Sequence, residues 1–194
     1  KLNINVLGEA VLGKAEAQAR FNRLVEMIRR PEIDYVSVKL SAVVAQMIVI
    51  DHEGSLEAVC EKLRLIYLEA KKSNTFINLD MEEFKDLKLT VDAFKLVLSE
   101  SEFGTISAGI VLQAYLPDSH AAFSELLEFA KERHAKFGGQ IKIRLVKGAN
   151  LAMEKAEGEL HGYIPAPYQS KAEVDASYTR LIDVALRPEN ASAV

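Results

Sequence analysis

Short apolar runs alternate with longer, helically spaced stretches along the whole of this 194-residue chain. The runs are rich in β-branched residues, a pattern typical of buried strands. The predicted strands are residues 4–7, 35–40, 76–79, 108–114 and 141–146. The stretches between and after them carry apolar stripes on one helical face, which begin at Phe21, Leu56, Val91, Phe123 and Tyr178. Near-continuous apolar strands between amphipathic helices predict an α/β fold with a parallel sheet covered by helices.

Two α/β architectures remain, a doubly wound open sheet and a TIM-type barrel. An open sheet binds its ligand at one switch point, whereas a barrel collects side chains from the carboxyl ends of many strands. Here a polar residue ends or follows nearly every predicted strand. The candidates are Glu9, Lys39, Asp80, Gln113, Arg144 and Lys147. We therefore predict a barrel. Five βα units and a sixth strand that starts near Ser192 are fewer than a complete barrel contains, so we expect an incomplete barrel that forms one domain over residues 1–194.

Composition and charge narrow the function. The hydrophobic fraction of 49% predicts one soluble domain with a sizeable core. A formal net charge of −4 gives no general affinity for nucleic acid, so an anion site must be local. The single cysteine, Cys60, favours a reducing compartment. The four histidines show no ligand spacing, so we expect no metal. No segment is long and apolar enough to predict a membrane helix.

The first two strand ends carry one acid and one cation. Residues 8–15 nearly match a P-loop, but Ala15 lacks the hydroxyl that would bind Mg²⁺. A strand-to-helix turn at Gly8 is the plainer interpretation. Glu9 then still needs a partner, and a gate or substrate-side role stays open. Lys39, inside an apolar strand, is either an ion-pair partner in the site or a side chain that reaches solvent at the rim.

The third and fourth strand ends add an acid and an amide. In Asn78-Leu79-Asp80-Met81-Glu82-Glu83 the last two acids suit the start of a helix, whereas Asp80 ends the strand and is the better site candidate. Paired carboxylates can indicate metal binding or glycoside hydrolysis, but the later strands supply Gln113 and Arg144 rather than more acids. Gln113 can donate and accept at once, which suits the edge of a heterocyclic ring. A satisfied polar residue in the barrel mouth is the alternative.

The stretch Ile143-Arg144-Leu145-Val146-Lys147-Gly148-Ala149-Asn150 is the most specific in the chain. Two cations lie three residues apart at a strand end, and the glycine lets a backbone approach a ligand closely. Arginine offers planar, multi-donor recognition and lysine a point charge, which together suit an anionic or electron-accepting cofactor such as a flavin. A surface cation pair is the alternative. Farther on, Ser170 or a neighbour is placed to cap the last helix, whose first backbone amides suit a phosphate.

Six motifs in order carry the interpretation beyond these general arguments. They are Leu7-Gly8-Glu9-Ala10, Val38-Lys39-Leu40-Ser41, Asn78-Leu79-Asp80-Met81-Glu82-Glu83, Leu112-Gln113-Ala114-Tyr115, Arg144-Leu145-Val146-Lys147-Gly148-Ala149, and Pro167-Tyr168 with Lys171 and Asp175. Together they closely resemble the proline dehydrogenase family, in particular the proline dehydrogenase domain of bifunctional bacterial PutA proteins. The resemblance covers essentially the whole chain.

This resemblance implies a fold, a reaction and partners. The fold is a distorted (βα)8 barrel that holds FAD non-covalently. The reaction is the oxidation of L-proline to Δ1-pyrroline-5-carboxylate by hydride transfer from C5 of proline to N5 of the flavin. The electrons would pass to a membrane quinone, so that the enzyme is cytoplasmic and meets the inner face of the membrane. An aldehyde dehydrogenase domain in the parent chain is a further implied partner.

The resemblance also implies residue roles. Arg144 would lie by the flavin ring near N5, and Gln113 would hydrogen-bond the ring. The implied catalytic residues are Arg144, Lys39 and Asp80. The implied substrate-side residues are Lys39, Asp80, Tyr115 and Glu9, the last as the acidic half of an ion-pair gate. The remaining cofactor-binding residues would be Val146, Lys147, Gly148, Ala149, Ser170 and Lys171.

Two departures from the family pattern affect these expectations. Asn150 stands where many relatives carry an aromatic residue, so packing next to the flavin should differ. An Arg-Arg-x-x-Glu motif, which grips the proline carboxylate and amine in the family, is absent from this chain, so we expect weak or no proline turnover from these residues alone. Two alternatives therefore stay open: an FAD barrel like that of methylenetetrahydrofolate reductase, and a non-catalytic barrel fragment.

Overall fold

Five parallel strands form one sheet in the computed structural model, which describes residues 3–5, 10–48, 51–81 and 83–191. The strands are β1 (Ile4–Asn5), β2 (Tyr35–Lys39), β3 (Phe76–Asp80), β4 (Ala108–Gln113) and β5 (Ile141–Val146). Each strand pairs in parallel with the next one along the chain. The five predicted strands are therefore confirmed, and the part of the first prediction beyond Asn5 lies outside the described residues.

The consecutive strand order decides between the two predicted architectures. A doubly wound sheet reverses its order at a switch point, whereas here every strand is added on the same side of the previous one. Right-handed crossovers then place the connecting helices on one face of the sheet, as in a TIM-type barrel. The predicted barrel fold is confirmed over five βα units. The predicted sixth strand, near Ser192, lies outside the described residues.

Seven α-helices occur in the described residues, and most of them bury a predicted apolar stripe. They are α1 (Lys14–Ile28), α2 (Leu40–Val43), α3 (His52–Ser73), α4 (Leu87–Leu98), α5 (Ser119–Phe137), α6 (Leu151–His161) and α7 (Lys171–Ala185). Short 3-10 helices lie at Phe84–Asp86, Ser101–Phe103 and Pro188–Asn190. Helix α6 differs, because its buried residues are Glu154 and Gly158 rather than an apolar stripe. The hydrophobic pattern therefore did not predict it.

The hydrophobic core lies between the sheet and its helices. All six residues of β4 are buried, so this strand is covered on both faces. Leu63 of α3, Phe94 of α4 and Leu126 of α5 are fully buried and belong to the same core cluster. The core thus fixes the strands, and with them the residues at their carboxyl ends.

The length and polarity of the described helices show whether any of them could span a membrane. The longest, α3, has 22 residues but includes Glu57, Glu61 and Arg64. None of the described helices combines the length with the apolar character that crossing a bilayer requires.

Candidate active site

The carboxyl ends of β2 to β5 bring four predicted site residues to one edge of the sheet. Lys39 ends β2 and lies directly opposite Asp80, which ends β3. Gln113 ends β4 and lies opposite Val146, which ends β5. Arg144 precedes Val146 by two residues and therefore shares its face of the strand. The barrel thus gathers a carboxylate, an amide and two cations in one place.

Asp80 is a shielded carboxylate inside this group. Its side chain is 9% exposed, and it accepts hydrogen bonds from Asn5 Nδ2 at 3.0 Å and from Asn78 Nδ2 at 2.8 Å. Burial raises the pKa of Asp80, and the charges of Arg144 and Lys39 offset part of that rise. The carboxylate is therefore held in place by amides while its charge is only partly compensated.

Arg144 approaches Asp80 without forming a tight ion pair. Its Nη1 lies 3.8 Å from Asp80 Oδ1, and its side chain is 42% exposed. A pair at this distance and exposure adds little stability. The Arg144 side chain is consequently held only loosely by Asp80 and remains partly exposed to solvent.

Polar side chains continue below Asp80 on the same face of the sheet. Ser37 and Asn78 are fully buried, and the register places Asn5 beside Ser37 and Ser37 beside Asn78. The next position in register, Gly109, makes room for Asn78, because a Cβ there would lie 2.6 Å from Asn78 Oδ1. Sequence analysis missed this layer, although the polar residues two apart in β2 (Ser37 and Lys39) and in β3 (Asn78 and Asp80) were a usable signal.

Gln113 joins the end of β4 to the loop that follows β3. The residue is 1% exposed, and its Nε2 donates to the carbonyl oxygen of Met81 at 2.7 Å. This contact fixes the backbone directly after Asp80. The expected hydrogen bond from Gln113 to a flavin ring remains a prediction.

The cation-and-glycine segment after β5 rests on Tyr115. The amides of Ala114 and Tyr115 donate to the carbonyls of Val146 and Lys147, both at 2.8 Å, so the β4–β5 pairing continues beyond the strand ends. Gly148 has a φ of 139°, and a Cβ there would lie 2.4 Å from Cγ of Tyr115. Glycine is therefore required both by its backbone conformation and by the ring beneath it. Tyr115 itself is 2% exposed, whereas Lys147, Gly148 and Ala149 face solvent.

Helix α7 is tied to this segment by its first turns. Lys147 Nζ hydrogen-bonds the Asp175 carboxylate, and this contact lowers the pKa of Asp175. Ser170 caps the helix, as predicted: its Oγ accepts from the amide of Glu173 at 3.2 Å, while Glu173 Oε2 accepts from the amide of Ser170 at 3.0 Å. Lys171 is the exposed first residue of α7. Lys147 is thus linked to the first turns of the helix that Ser170 caps and Lys171 begins.

Glu154 of α6 is a buried acid that sequence analysis missed. Its Oε1 accepts a hydrogen bond from the amide of Phe84 at 2.8 Å, so it links α6 to the segment that leads from β3 into α4. Nothing in the sequence distinguishes it from Glu157 and Glu159 of the same helix, which are exposed.

Two predicted features fall on residues that the structure does not describe. Glu9, the expected acidic half of a gate, lies outside the described residues, as does Glu82 of the acidic motif. Within the described ranges, no group of three or more His, Cys, Asp and Glu side chains could hold a metal ion.

The cavities differ in size and position. A recess of about 10 Å³ lies between Lys39, Asp80 and Met81 at the carboxyl ends of the strands. A larger cavity of about 390 Å³ includes Thr75 and Ser107, at the amino ends of β3 and β4. The recess is lined by the shielded Asp80 carboxylate and by Lys39, whereas Gln113 and Arg144 lie outside its lining. The candidate site is therefore defined by the carboxyl ends of the strands rather than by a cavity.

Comparison with known proteins agrees with the resemblance predicted from the sequence. The family model "Proline dehydrogenase" matches residues 1–194. Among curated proteins, the chain is 30% identical to the proline dehydrogenase of Deinococcus radiodurans over 192 residues, covering 97% of this chain and 54% of that protein. It is 27% identical to the bifunctional protein PutA of Escherichia coli over 190 residues, covering 92% of this chain and 14% of that protein. The chain therefore spans about half or less of the length of these relatives.

Solved structures show the same similarity. The structure of PutA from Corynebacterium freiburgense matches with a TM-score of 0.94 and 53% identity, covering 99% of this chain and 20% of that one. PutA from Bdellovibrio bacteriovorus, inactivated by N-propargylglycine, matches with a TM-score of 0.86 and 33% identity, covering 97% of this chain and 21% of that one. Both matches extend over nearly all of the fold described above.

Proposed function

Because the chain belongs to the proline dehydrogenase family, we propose that it forms the proline-oxidising barrel of a flavoenzyme. The observation that carries the proposal is the convergence of Lys39, Asp80, Gln113 and Arg144 at one end of the sheet. The substrate would be L-proline and the product Δ1-pyrroline-5-carboxylate. FAD would supply, when bound, the acceptor for the hydride that leaves C5 of proline.

The residues in the second half of β5 and directly after it fit an anionic, electron-accepting cofactor. Arg144 has an exposed guanidinium whose pairing with Asp80 is long, so its charge is available to stabilise negative charge nearby. Lys147 and the exposed backbone at Gly148 suit a polyanionic chain. The residues that would hold FAD are Gln113, Arg144, Val146, Lys147, Gly148, Ala149, Ser170 and Lys171.

The ends of β2 and β3 suit an amino acid. Free proline carries one positive and one negative charge, and Lys39 and Asp80 offer one group of each sign at adjacent positions. Asp80 is held by Asn5 and Asn78, so its oxygens are oriented before a substrate arrives. We propose that the Asp80 carboxylate holds the substrate amine and that the Lys39 ammonium faces the substrate carboxylate.

The partners that we propose follow from the family. The electron acceptor would be a membrane quinone, which a cytoplasmic enzyme would meet at the inner face of the membrane. Since the curated relatives named PutA are bifunctional, a second catalytic domain, an aldehyde dehydrogenase, would act on the product.

Replacement of Arg144 tests this assignment. In the full-length protein, Arg144→Met should slow the reduction of the bound flavin by proline about 10²–10³-fold, because it removes one preorganised charge-stabilising group. The measurement is stopped-flow loss of the flavin absorbance without oxygen. Lys142→Met, on the same strand and two residues nearer its amino end, is the matched control and should react at the wild-type rate. Equal rates for Arg144→Met and the wild type would overturn the assignment.

A further inference from the structure

Helix α6 carries a buried carboxylate, Glu154, which contacts the chain at Phe84, four positions after Asp80. This inference rests on the function proposed above. We propose that Glu154 is a positioning residue that holds the chain just after Asp80, at Phe84, against the segment Lys147-Gly148-Ala149 that follows β5. Glu154 is 9% exposed, whereas Glu157 and Glu159 of the same helix are exposed. Burial of a charged carboxylate is unfavourable unless hydrogen bonds compensate it, so a specific contact is expected at this position.

That contact is the amide of Phe84, which starts a 3-10 helix (Phe84–Asp86) leading into α4. The first amides of a helix have no partner within the helix, and a negative charge suits its positive start. The side chain that precedes the helix, Glu83, pairs instead with Lys85 at 2.5 Å. Glu154, 70 positions farther along the chain, accepts from Phe84 at 2.8 Å and thus caps the helix from another element.

Two residues that follow Asp80 closely in the chain, Met81 and Phe84, are therefore each held by another element. Gln113 Nε2 donates to the carbonyl of Met81 at 2.7 Å, and Glu154 accepts from the amide of Phe84. Phe84 follows Asp80 by four positions in the sequence, so we expect a displacement of Phe84 to reach Asp80. If the Glu154 contact is lost, the hydrogen bond from Gln113 to Met81 is the one of these two that remains.

The helix that carries Glu154 lies next in the chain to the segment of Lys147, Gly148 and Ala149. Glu154 is in the first turn of α6, which begins at Leu151. One residue, the N-cap Asn150, separates this helix from the segment of Lys147, Gly148 and Ala149. Burial, and next to it the charge of Glu154, raises the pKa of Tyr115, whose ring supports Gly148. The Glu154 carboxylate thus accepts from Phe84, and the Glu154 amide donates to the carbonyl of Asn150 at 2.9 Å, next to Ala149 of the segment after β5.

Four variants of the full-length protein separate the contact from the charge. Glu154→Ala removes both, and Glu154→Asp keeps the charge but shortens the side chain. Glu154→Gln removes the charge but keeps an oxygen that can accept from Phe84. Glu159→Ala, on the exposed side of the same helix, is the matched control.

The first readout is amide hydrogen exchange of residues 83–87, measured with and without flavin. We expect Glu154→Ala and Glu154→Asp to speed exchange at Phe84 by about tenfold or more, since a lost hydrogen bond of about 1.4 kcal/mol corresponds to a factor of ten. Glu154→Gln and Glu159→Ala should match the wild type. Unchanged exchange at Phe84 in both Glu154→Ala and Glu154→Asp would overturn the proposal.

The second readout is the rate at which proline bleaches the bound flavin, expressed per bound flavin. We expect a fall of about tenfold in Glu154→Ala and Glu154→Asp, because small misplacements of positioned groups are costly, and recovery in Glu154→Gln. Faster exchange with an unchanged bleaching rate would also overturn the positioning role. If proline fails to bleach even the wild type, the proposed function is wrong, while exchange at Phe84 still decides whether Glu154 holds the loop.

Discussion

Two opposing influences act on the pKa of Asp80: burial raises it, and the neighbouring positive charges lower it. Burial has the larger effect. Its pKa lies above the ordinary value because the carboxylate is shielded, and Arg144 at 3.8 Å compensates only part of that effect. The folded protein therefore binds a proton at Asp80 more tightly than the unfolded chain does. Asp80 therefore contributes to the free energy of unfolding below its unfolded-state pKa, where it is protonated in both states. This contribution is lost as the pH rises through the folded-state pKa of Asp80.

This sign predicts the pH dependence of Asp80→Asn. Asparagine cannot ionise, so the stability of Asp80→Asn relative to the wild type should increase as the pH is raised from about 4, the ordinary pKa of Asp, towards neutrality. Urea unfolding across that range gives both free energies of unfolding. Asp118→Asn, at an exposed position, is the control. A difference between Asp80→Asn and the wild type that is constant or shrinks with rising pH would contradict the assignment of burial as the main cause.

Among individual site residues, the sequence predicted those that lie at or near the ends of apolar runs. Lys39, Asp80, Gln113 and Arg144 are recognisable because a polar residue after a buried strand needs an explanation. Asn5 and Glu154 are not, because their importance depends on the strand register and on the fold of α6. Neither property can be read from local hydrophobic spacing.

At the scale of elements, one buried cation joins several of them at the amino end of the sheet. Arg133 of α5 is 3% exposed and donates to four backbone carbonyls, at distances between 2.6 and 3.2 Å. The acceptors are Leu98, Phe103, Ile106 and Gln140. Arg133 therefore holds the end of α4 and the approach to β4 and β5, since a planar guanidinium can serve several acceptors at once.

Removal of this guanidinium should destabilise the fold. Arg133→Met leaves buried carbonyls without donors, at a cost of about 1–3 kcal/mol for each group that water cannot reach, so we expect a loss of roughly 3–5 kcal/mol. Urea-induced unfolding measures it. Lys131→Met, at an exposed position of the same helix, should change stability by less than about 0.5 kcal/mol. A loss below about 1 kcal/mol in Arg133→Met would show that the four contacts are dispensable.

Element prediction succeeded where one face of an element is apolar and failed where polar contacts hold it. Helices α1 and α3 bury the predicted stripes, and β4 is buried throughout. Helix α6 is attached through Glu154 and Gly158, and such contacts leave no periodic hydrophobic signal. The short α2 likewise has too few residues to show a period.

At the scale of the whole molecule, consecutive parallel strands place every carboxyl end on the same edge of the sheet. The polar candidates, separated by up to 105 positions in the sequence between Lys39 and Arg144, therefore meet without any local motif. The barrel fold alone does not fix the reaction, since one fold supports many chemistries. The proposed reaction instead rests on the family match together with the particular residues at this edge.

The central claim is tested most directly by the visible spectrum of the purified full-length protein before and after L-proline is added without oxygen. We predict a bound flavin whose visible absorbance is bleached by proline. A reduced nicotinamide, added instead of proline, should leave the spectrum unchanged. A flavin that proline leaves oxidised, or one that only the nicotinamide bleaches, would contradict the assignment of this barrel to proline oxidation.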